Sequence, residues 1–258
     1  MLDTYIINLD CATQRWTNMV QRLAKNPYYY THRIPGVEGA SLNLNHVALD
    51  PFTTRKYFGQ DLGKGSIGCY LSHVHAWELL IASKALYGLI LEDDACFDAQ
   101  DMMEVVQSII ALPQENCRTI WDICSFQLNH RGFPIPVARL LNGLTLSTYL
   151  ACVTGAGAYL LTQHGAQRLR KHAFPIQWPV DHYYTKTHCL KLRFVGVEPR
   201  IVKQEEGPSF IDAVGRERFK NISMFKRLMC AVRKIGQEAQ QGIYNGTWAF
   251  WRYIRRRS

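Results

Sequence analysis

Tyr87-Gly88-Leu89-Ile90-Leu91 is an apolar run that ends abruptly in Glu92-Asp93-Asp94. Three adjacent carboxylates at the end of a buried strand repel one another, and each loses solvation wherever it is covered. A divalent cation relieves both costs. The carboxyl edge of an α/β sheet is also where a metal and a phosphate-bearing ligand can meet. The plainer alternative is a solvated acidic turn that caps the next helix. A second group lies in Trp178-Pro179-Val180-Asp181-His182. Asp181, just after a proline-restricted turn, serves either as a helix cap or as a base projecting into a site. His182 beside it is placed to complete a metal shell. His73 and His75 stand two apart on a predicted helix, about 200° around its axis, so they cannot share one metal. Ser72 and His73 together can face a cleft, whereas His75 packs or meets water. Gly155-Ala156-Gly157-Ala158 puts small residues at a strand start, where either a neighbouring element or a sugar approaches the backbone closely.

The elements that must position these residues alternate along the chain. Tyr5 to Leu9 reads as a first buried strand. Thr13 to Lys25 reads as a helix, with Trp16, Met19, Val20 and Leu23 on one face. Tyr28 to Ile34 is a second strand, and residues 40 to 65 read as a loop-rich excursion. Ser66 caps a helix reaching about Lys84, and Asp101 caps one from Met102 to Ala111. Strands are expected at Thr119 to Gln127, Thr145 to Val153, Arg193 to Val197 and Arg200 to Gln204, with a helix from Gln163 to His172. Strand and helix in this alternation predict an α/β fold with a mixed, mostly parallel sheet flanked by helices.

Charge divides the chain. The net +9 of its 258 residues comes entirely from residues 216–258, which hold 11 basic against 2 acidic residues. This predicts a neutral body, residues 1–215, and a basic helical C-terminal segment, residues 216–258. In that segment Phe225, Leu228, Met229, Val232 and Ile235 form an apolar stripe beside Lys226, Arg227, Arg233 and Lys234. The pattern suits either a helix lying in an anionic membrane interface or one docked on the body. It carries no recognisable nucleic-acid module. The eight cysteines include no Cys-x-x-Cys pair, and no basic-then-apolar leader opens the chain, so reduced thiols and a cytosolic setting are expected. The first strand lacks a glycine-rich turn, and no Gly-x-x-x-x-Gly-Lys-Ser/Thr or Gly-x-Ser-x-Gly occurs. Those absences disfavour NAD, P-loop and serine-hydrolase chemistry.

Three segments in order then resemble glycosyltransferase family 25: Ile7-Asn8-Leu9-Asp10 with Arg15, Gly65-x-Ile67-Gly68-Cys69-x-Leu71-Ser72-His73, and Leu89-Ile90-Leu91-Glu92-Asp93-Asp94-Ala95. Gly155 to Tyr159 and Pro179-Val180-Asp181 are similar to that family too, so the likeness spans roughly residues 4 to 210. The resemblance implies a GT-A fold, a UDP-sugar donor, Mn²⁺ or Mg²⁺, and inversion at the anomeric carbon. It implies a lipid-linked oligosaccharide acceptor of the lipooligosaccharide type at the cytoplasmic face of a Gram-negative inner membrane. Under it, Asp94, Glu92 and His182 are the expected metal ligands. Asn8, Leu9, Arg15, Ser72, His73, Glu92, Asp93 and Gly155 are the expected donor contacts, and Asp181 is the expected base. A non-catalytic glycan- or membrane-binding module and a metal-dependent phosphohydrolase are the competing readings.

Overall fold

The computed structural model describes residues 1–114, 119–129, 132–205 and 223–255. The chain opens with β1 (Leu2–Asn8), α1 (Thr13–Leu23) and β2 (Tyr29–Pro35). Two 3₁₀ turns lead into α2 (Pro51–Phe58) and the long α3 (Lys64–Ser83). β3 (Tyr87–Glu92) carries the apolar run and is followed by β4 (Ala95–Cys96) and α4 (Ala99–Ile110). Next come β5 (Ile123–Ser125), β6 (Pro134–Arg139), β7 (Thr145–Tyr149), β8 (Ala158–Thr162) and α5 (Gln163–Lys171). The short α6 (Val180–Tyr183) and α7 (Thr187–Leu190), then β9 (Phe194–Glu198), β10 (Lys203–Gln204) and α8 (Met224–Arg255), complete it.

The main sheet has the order β2-β1-β3-β8-β5-β9-β7-β6. β1, β2, β3, β5, β6 and β9 point the same way, while β7 and β8 run against them. The sheet is thus mixed and mostly parallel in direction, as expected. Parallel strands covered on both faces must be apolar at successive positions. β3 is such a strand: Leu89 and Leu91 pack with α1 and α4 residues such as Met19 and Met102 on one face. Ile90 packs with Trp77 and Leu80 of α3 on the other. All three are fully buried, and each such side chain contributes about 1.5–3 kcal/mol of transfer free energy.

Several boundaries differ from expectation, each for a local reason. The cap of α4 is Asp98, whose carboxylate accepts the N–H groups of Gln100 and Asp101, so Asp101 lies inside the first turn. α3 starts at Lys64 with Gly63 at its cap position, and Ser66 makes no cap. Within the expected excursion, Asp50 accepts the N–H of Thr53, Pro51 occupies the first turn and Gly59 ends α2 at φ 75°. The strand expected from Thr119 to Gln127 contracts to Ile123–Ser125. β6 contains Pro134 and Pro136 and is tolerated because it lies at the sheet edge.

α8 docks on the body against α2, α7, β6 and β7. Its docked stripe is largely polar. Gln237 accepts from Lys186 Nζ at 2.8 Å, and Asn245 accepts from Thr187 and donates to the Tyr149 carbonyl at 2.7 Å. Arg252 donates to the Val137 carbonyl at 3.1 Å. Its outer stripe is apolar: Phe225, Leu228, Val232, Ile235, Ile243 and Phe250 are all more than half exposed. The charge boundary at 215/216 lies outside the described residues. Among the described residues, no helix is long and apolar enough to cross a membrane.

Candidate active site

β1, β2 and β3 are parallel, so Asn8, Pro35 and Glu92 end at one edge of the sheet. A cavity of about 390 Å³ opens there. The acidic segment forms its floor. Asp93 N–H donates to the Ile7 carbonyl at 3.1 Å and Glu92 N–H to the Gly157 carbonyl at 2.8 Å, which fixes the turn against β1 and the start of β8. β10 pairs with β4 across the same turn and brings Gln204 to the cavity, where its amide donates to Asp94 Oδ2 at 2.8 Å.

The three carboxylates occupy different environments. Asp93 accepts from Asn8 Nδ2 at 2.7 Å and lies 3.5 Å from Arg15. Burial still raises its pKa, with Asn8 and Arg15 opposing. Asp94 lies 3.8 Å from Arg15 and is 9% exposed. Burial, then the negative charge of Glu92 and Asp93, outweighs Gln204 and Arg15 and raises it to about 6. Among the described residues, its buried Oδ1 has no hydrogen-bond partner. Glu92 turns toward α3, where His73 Nε2 is 3.1 Å and Cys69 Sγ 3.6 Å from Oε1. Burial works against its ionised form, but the His73 and Cys69 contacts outweigh it and hold Glu92 below the usual range.

The expected donor contacts separate into two kinds. Leu9, Arg15, Ser72, Glu92 and Asp93 line the cavity. Asn8 is buried and acts behind the wall, holding Asp93 with its amide N–H and accepting from Arg33 at 2.9 Å. His73 is likewise buried and holds Glu92 while its Nδ1 lies 2.8 Å from the Tyr159 hydroxyl. Ser72 accepts the N–H of Val37 at 2.8 Å and donates to the Gly68 carbonyl at 2.8 Å, tying α3 to the segment after β2. That segment comes so close to α3 that a Cβ on Gly68 would collide with the Val37 carbonyl. Gly155 does not line the cavity. At φ 108° its backbone passes Gln127, whose carbonyl would lie 2.9 Å from a Cβ there, so the close approach is made by a neighbouring element.

His182 stands apart from the acidic turn. Its ring packs edge-on to Phe58, with Nδ1 3.9 Å from Cys152 Sγ, in a small separate cavity shared with Lys186 and Lys234. Burial lowers its pKa; the neighbouring lysines add to this and Asp181 opposes it. The expected shell of Asp94, Glu92 and His182 is not assembled. Asp181 lies in the first turn of α6, not at its cap, and its Oδ1 accepts the N–H of His182 at 2.9 Å. Its charge acts on Cys69 and Tyr184 together with that of Glu92, so it lies within electrostatic range of the acidic turn.

Hard divalent cations take oxygen ligands. A buried carboxylate oxygen at Asp94 with no hydrogen-bond partner among the described residues, beside Asp93 and Arg15, is a donor set that fits Mn²⁺ or Mg²⁺. Sequence reasoning missed Gln204, which reaches the cavity through a two-residue strand pairing. It also missed Lys64, which lines the cavity while donating to the Leu42 carbonyl at 2.8 Å. The Gly63-Lys64-Gly65 punctuation was the signal for Lys64; Gln204 had none.

The family model described as glycosyltransferase family 25 (LPS biosynthesis protein) matches residues 1–184, which carry β1, the α3 motif, the acidic turn and Asp181. Procollagen galactosyltransferase 1 of Danio rerio is 25% identical over 195 residues, 70% of this chain and 30% of that protein. Procollagen galactosyltransferase 2 of Homo sapiens is 23% identical over 189 residues, 70% of this chain and 29% of that protein. The probable inactive glycosyltransferase 25 family member 3 of Rattus norvegicus is 31% identical over 101 residues, 37% of this chain and 18% of that protein. The chain therefore spans less than a third of the length of these curated relatives. With most of its length, including β1, α3 and the acidic turn, matched by the family model, the chain belongs to glycosyltransferase family 25.

Proposed function

We propose that this protein is an inverting hexosyltransferase of GT-A type that moves galactose or glucose from a UDP-sugar to a lipid-linked oligosaccharide of the lipopolysaccharide core class. The observation that carries the reading is the pairing of Asp93 and Asp94 with Arg15 in one cavity at the carboxyl ends of β1 and β3. Departure of UDP develops negative charge on the diphosphate, and a cavity with fixed positive partners stabilises that charge where it forms. Arg15 and Lys64 are the side chains in the cavity wall suited to the diphosphate, and Leu9 offers an apolar surface to the nucleoside. Asp94 and Asp93 would hold Mn²⁺ or Mg²⁺, which when bound supplies Lewis-acid stabilisation of the leaving group. Glu92, Asn8 and Gln204 keep the turn in place. As the acceptor oxygen bonds to the anomeric carbon, its proton passes to the Asp181 carboxylate, and the bond to UDP breaks with its electron pair on the phosphate oxygen. Galactose is supported by the names of two of these relatives, procollagen galactosyltransferases 1 and 2. The lipid-linked acceptor is supported by the family description and by α8.

α8 is inside-out for a helix at home in water: it turns hydrogen-bonding residues to the body and apolar ones to solvent. Lys226 and Arg227 flank the exposed stripe, and each basic residue near an anionic bilayer adds about 1 kcal/mol. The stripe would hold the enzyme peripherally at the inner face of the membrane that carries its acceptor. A donor screen by UDP release, with truncated lipooligosaccharide and Mn²⁺, tests the reading. Acceptor-dependent release of UDP is expected. Binding of UDP or glycan without turnover would favour a non-catalytic module. Release that ignores the acceptor would favour a phosphohydrolase.

A further inference from the structure

We infer that Cys69, His73 and Glu92 form a site for a thiophilic divalent cation of the zinc class, separate from the oxygen-only donors of Asp93 and Asp94. Cys69 and His73 are one turn apart on α3, so both side chains leave the same face of the helix toward the end of β3. Their ligand atoms and a Glu92 carboxylate oxygen lie within 4.8 Å of one another, the one such group of three among the described residues. Metal–ligand bonds of about 2.0–2.3 Å at tetrahedral angles set neighbouring ligand atoms about 3.3–3.7 Å apart. Sγ to Oε1 is 3.6 Å, and Nε2 to Oε1 is 3.1 Å.

The surroundings complete the case. A histidine that binds metal through one nitrogen needs a partner for the other. The Tyr159 oxygen, 2.8 Å from Nδ1 and itself held by Trp77 Nε1 at 2.8 Å, is that partner. Cys69 and Glu92 both line the main cavity, which gives the ion a route in and leaves the fourth position to water. Asp94, whose buried Oδ1 has no hydrogen-bond partner among the described residues, lines the same cavity. Binding replaces the thiol proton of Cys69, which leaves to solvent, and takes the imidazole neutral through Nε2. Thiolate and imidazole select zinc over magnesium or manganese.

Cobalt(II) titrated into the metal-free protein reports the site without any activity measurement. One equivalent should give a thiolate-to-cobalt charge-transfer band with tetrahedral visible bands, and zinc, but not excess Mg²⁺, should remove both. Tyr159→Phe should weaken binding about 10–100-fold. Cys69→Ser should abolish the charge-transfer band while circular dichroism shows the variant folded. In the wild type, which needs no variant to fold, zinc should protect Cys69 from alkylation as read by peptide mass mapping. A band that survives Cys69→Ser, a purely octahedral oxygen-type spectrum, or alkylation of Cys69 unaffected by zinc would overturn the site. None of these readouts depends on sugar transfer, so their failure leaves the transferase reading standing, and the reverse also holds.

Discussion

Asp94→Asn should stabilise the metal-free protein while removing its activity. The Asp94 carboxyl rises from 3.8 to about 6 in the folded chain, chiefly through burial and then through Glu92. At 1.36 kcal/mol per unit, holding this group ionised in the native state costs roughly 3 kcal/mol as an upper bound. The native state keeps its proton longer than the unfolded chain. Wild-type stability therefore falls with rising pH between about pH 4 and pH 6, and the whole cost is present above that window. The amide is neutral throughout and can still accept from Gln204. Urea unfolding in EDTA near pH 8 should show the variant more stable by about 1–3 kcal/mol, and near pH 3.5 the difference should vanish. Mn²⁺ at a hundred times its dissociation constant should add about 2.7 kcal/mol to the wild type and little to the variant, closing the gap. A variant less stable than wild type in EDTA near pH 8, or an advantage equal at both pH values, would refute the account of Asp94 as a carboxylate kept costly for a cation.

Asp181→Asn should lower acceptor-dependent turnover about 10²–10⁴-fold with UDP affinity unchanged, measured by steady-state kinetics beside calorimetric UDP binding. Asn245→Ala leaves the Tyr149 carbonyl and the Thr187 hydroxyl short of their buried partner, so chemical unfolding should show a loss of about 1–3 kcal/mol. Replacing Leu228, Val232 and Ile235 with serine should weaken sedimentation with anionic vesicles without lowering thermal stability, since all three side chains face solvent. Neutral vesicles should bind the wild type less well than anionic ones, and added salt should narrow that difference.

What the sequence disclosed, and what it hid, follows from the range of the interactions. The acidic turn was legible because a continuous apolar run buried on both faces can end only at a sheet edge, and charges there need a reason. α2 was missed although Asp50, Pro51 and Gly59 are local cap and stop signals, because its apolar residues lack a clean helical period. Gln204 could not be found at all. It reaches Asp94 only because residues 203–204 fold back on residues 95–96: a strand was legible from Arg200 to Gln204, but nothing in either segment says which strand a two-residue pairing across more than a hundred positions joins. The most instructive case is α3. The two histidines of the helix, at positions 73 and 75, point apart. The pair that shares a face is 69 and 73, and its second member is fully buried. Helical spacing alone could have selected that pair, but only the fold supplies Glu92 as the third atom. The same carboxylate that ends β3 is thus held by α3, and the chemistry of the turn depends on a helix that begins twenty-eight residues before it.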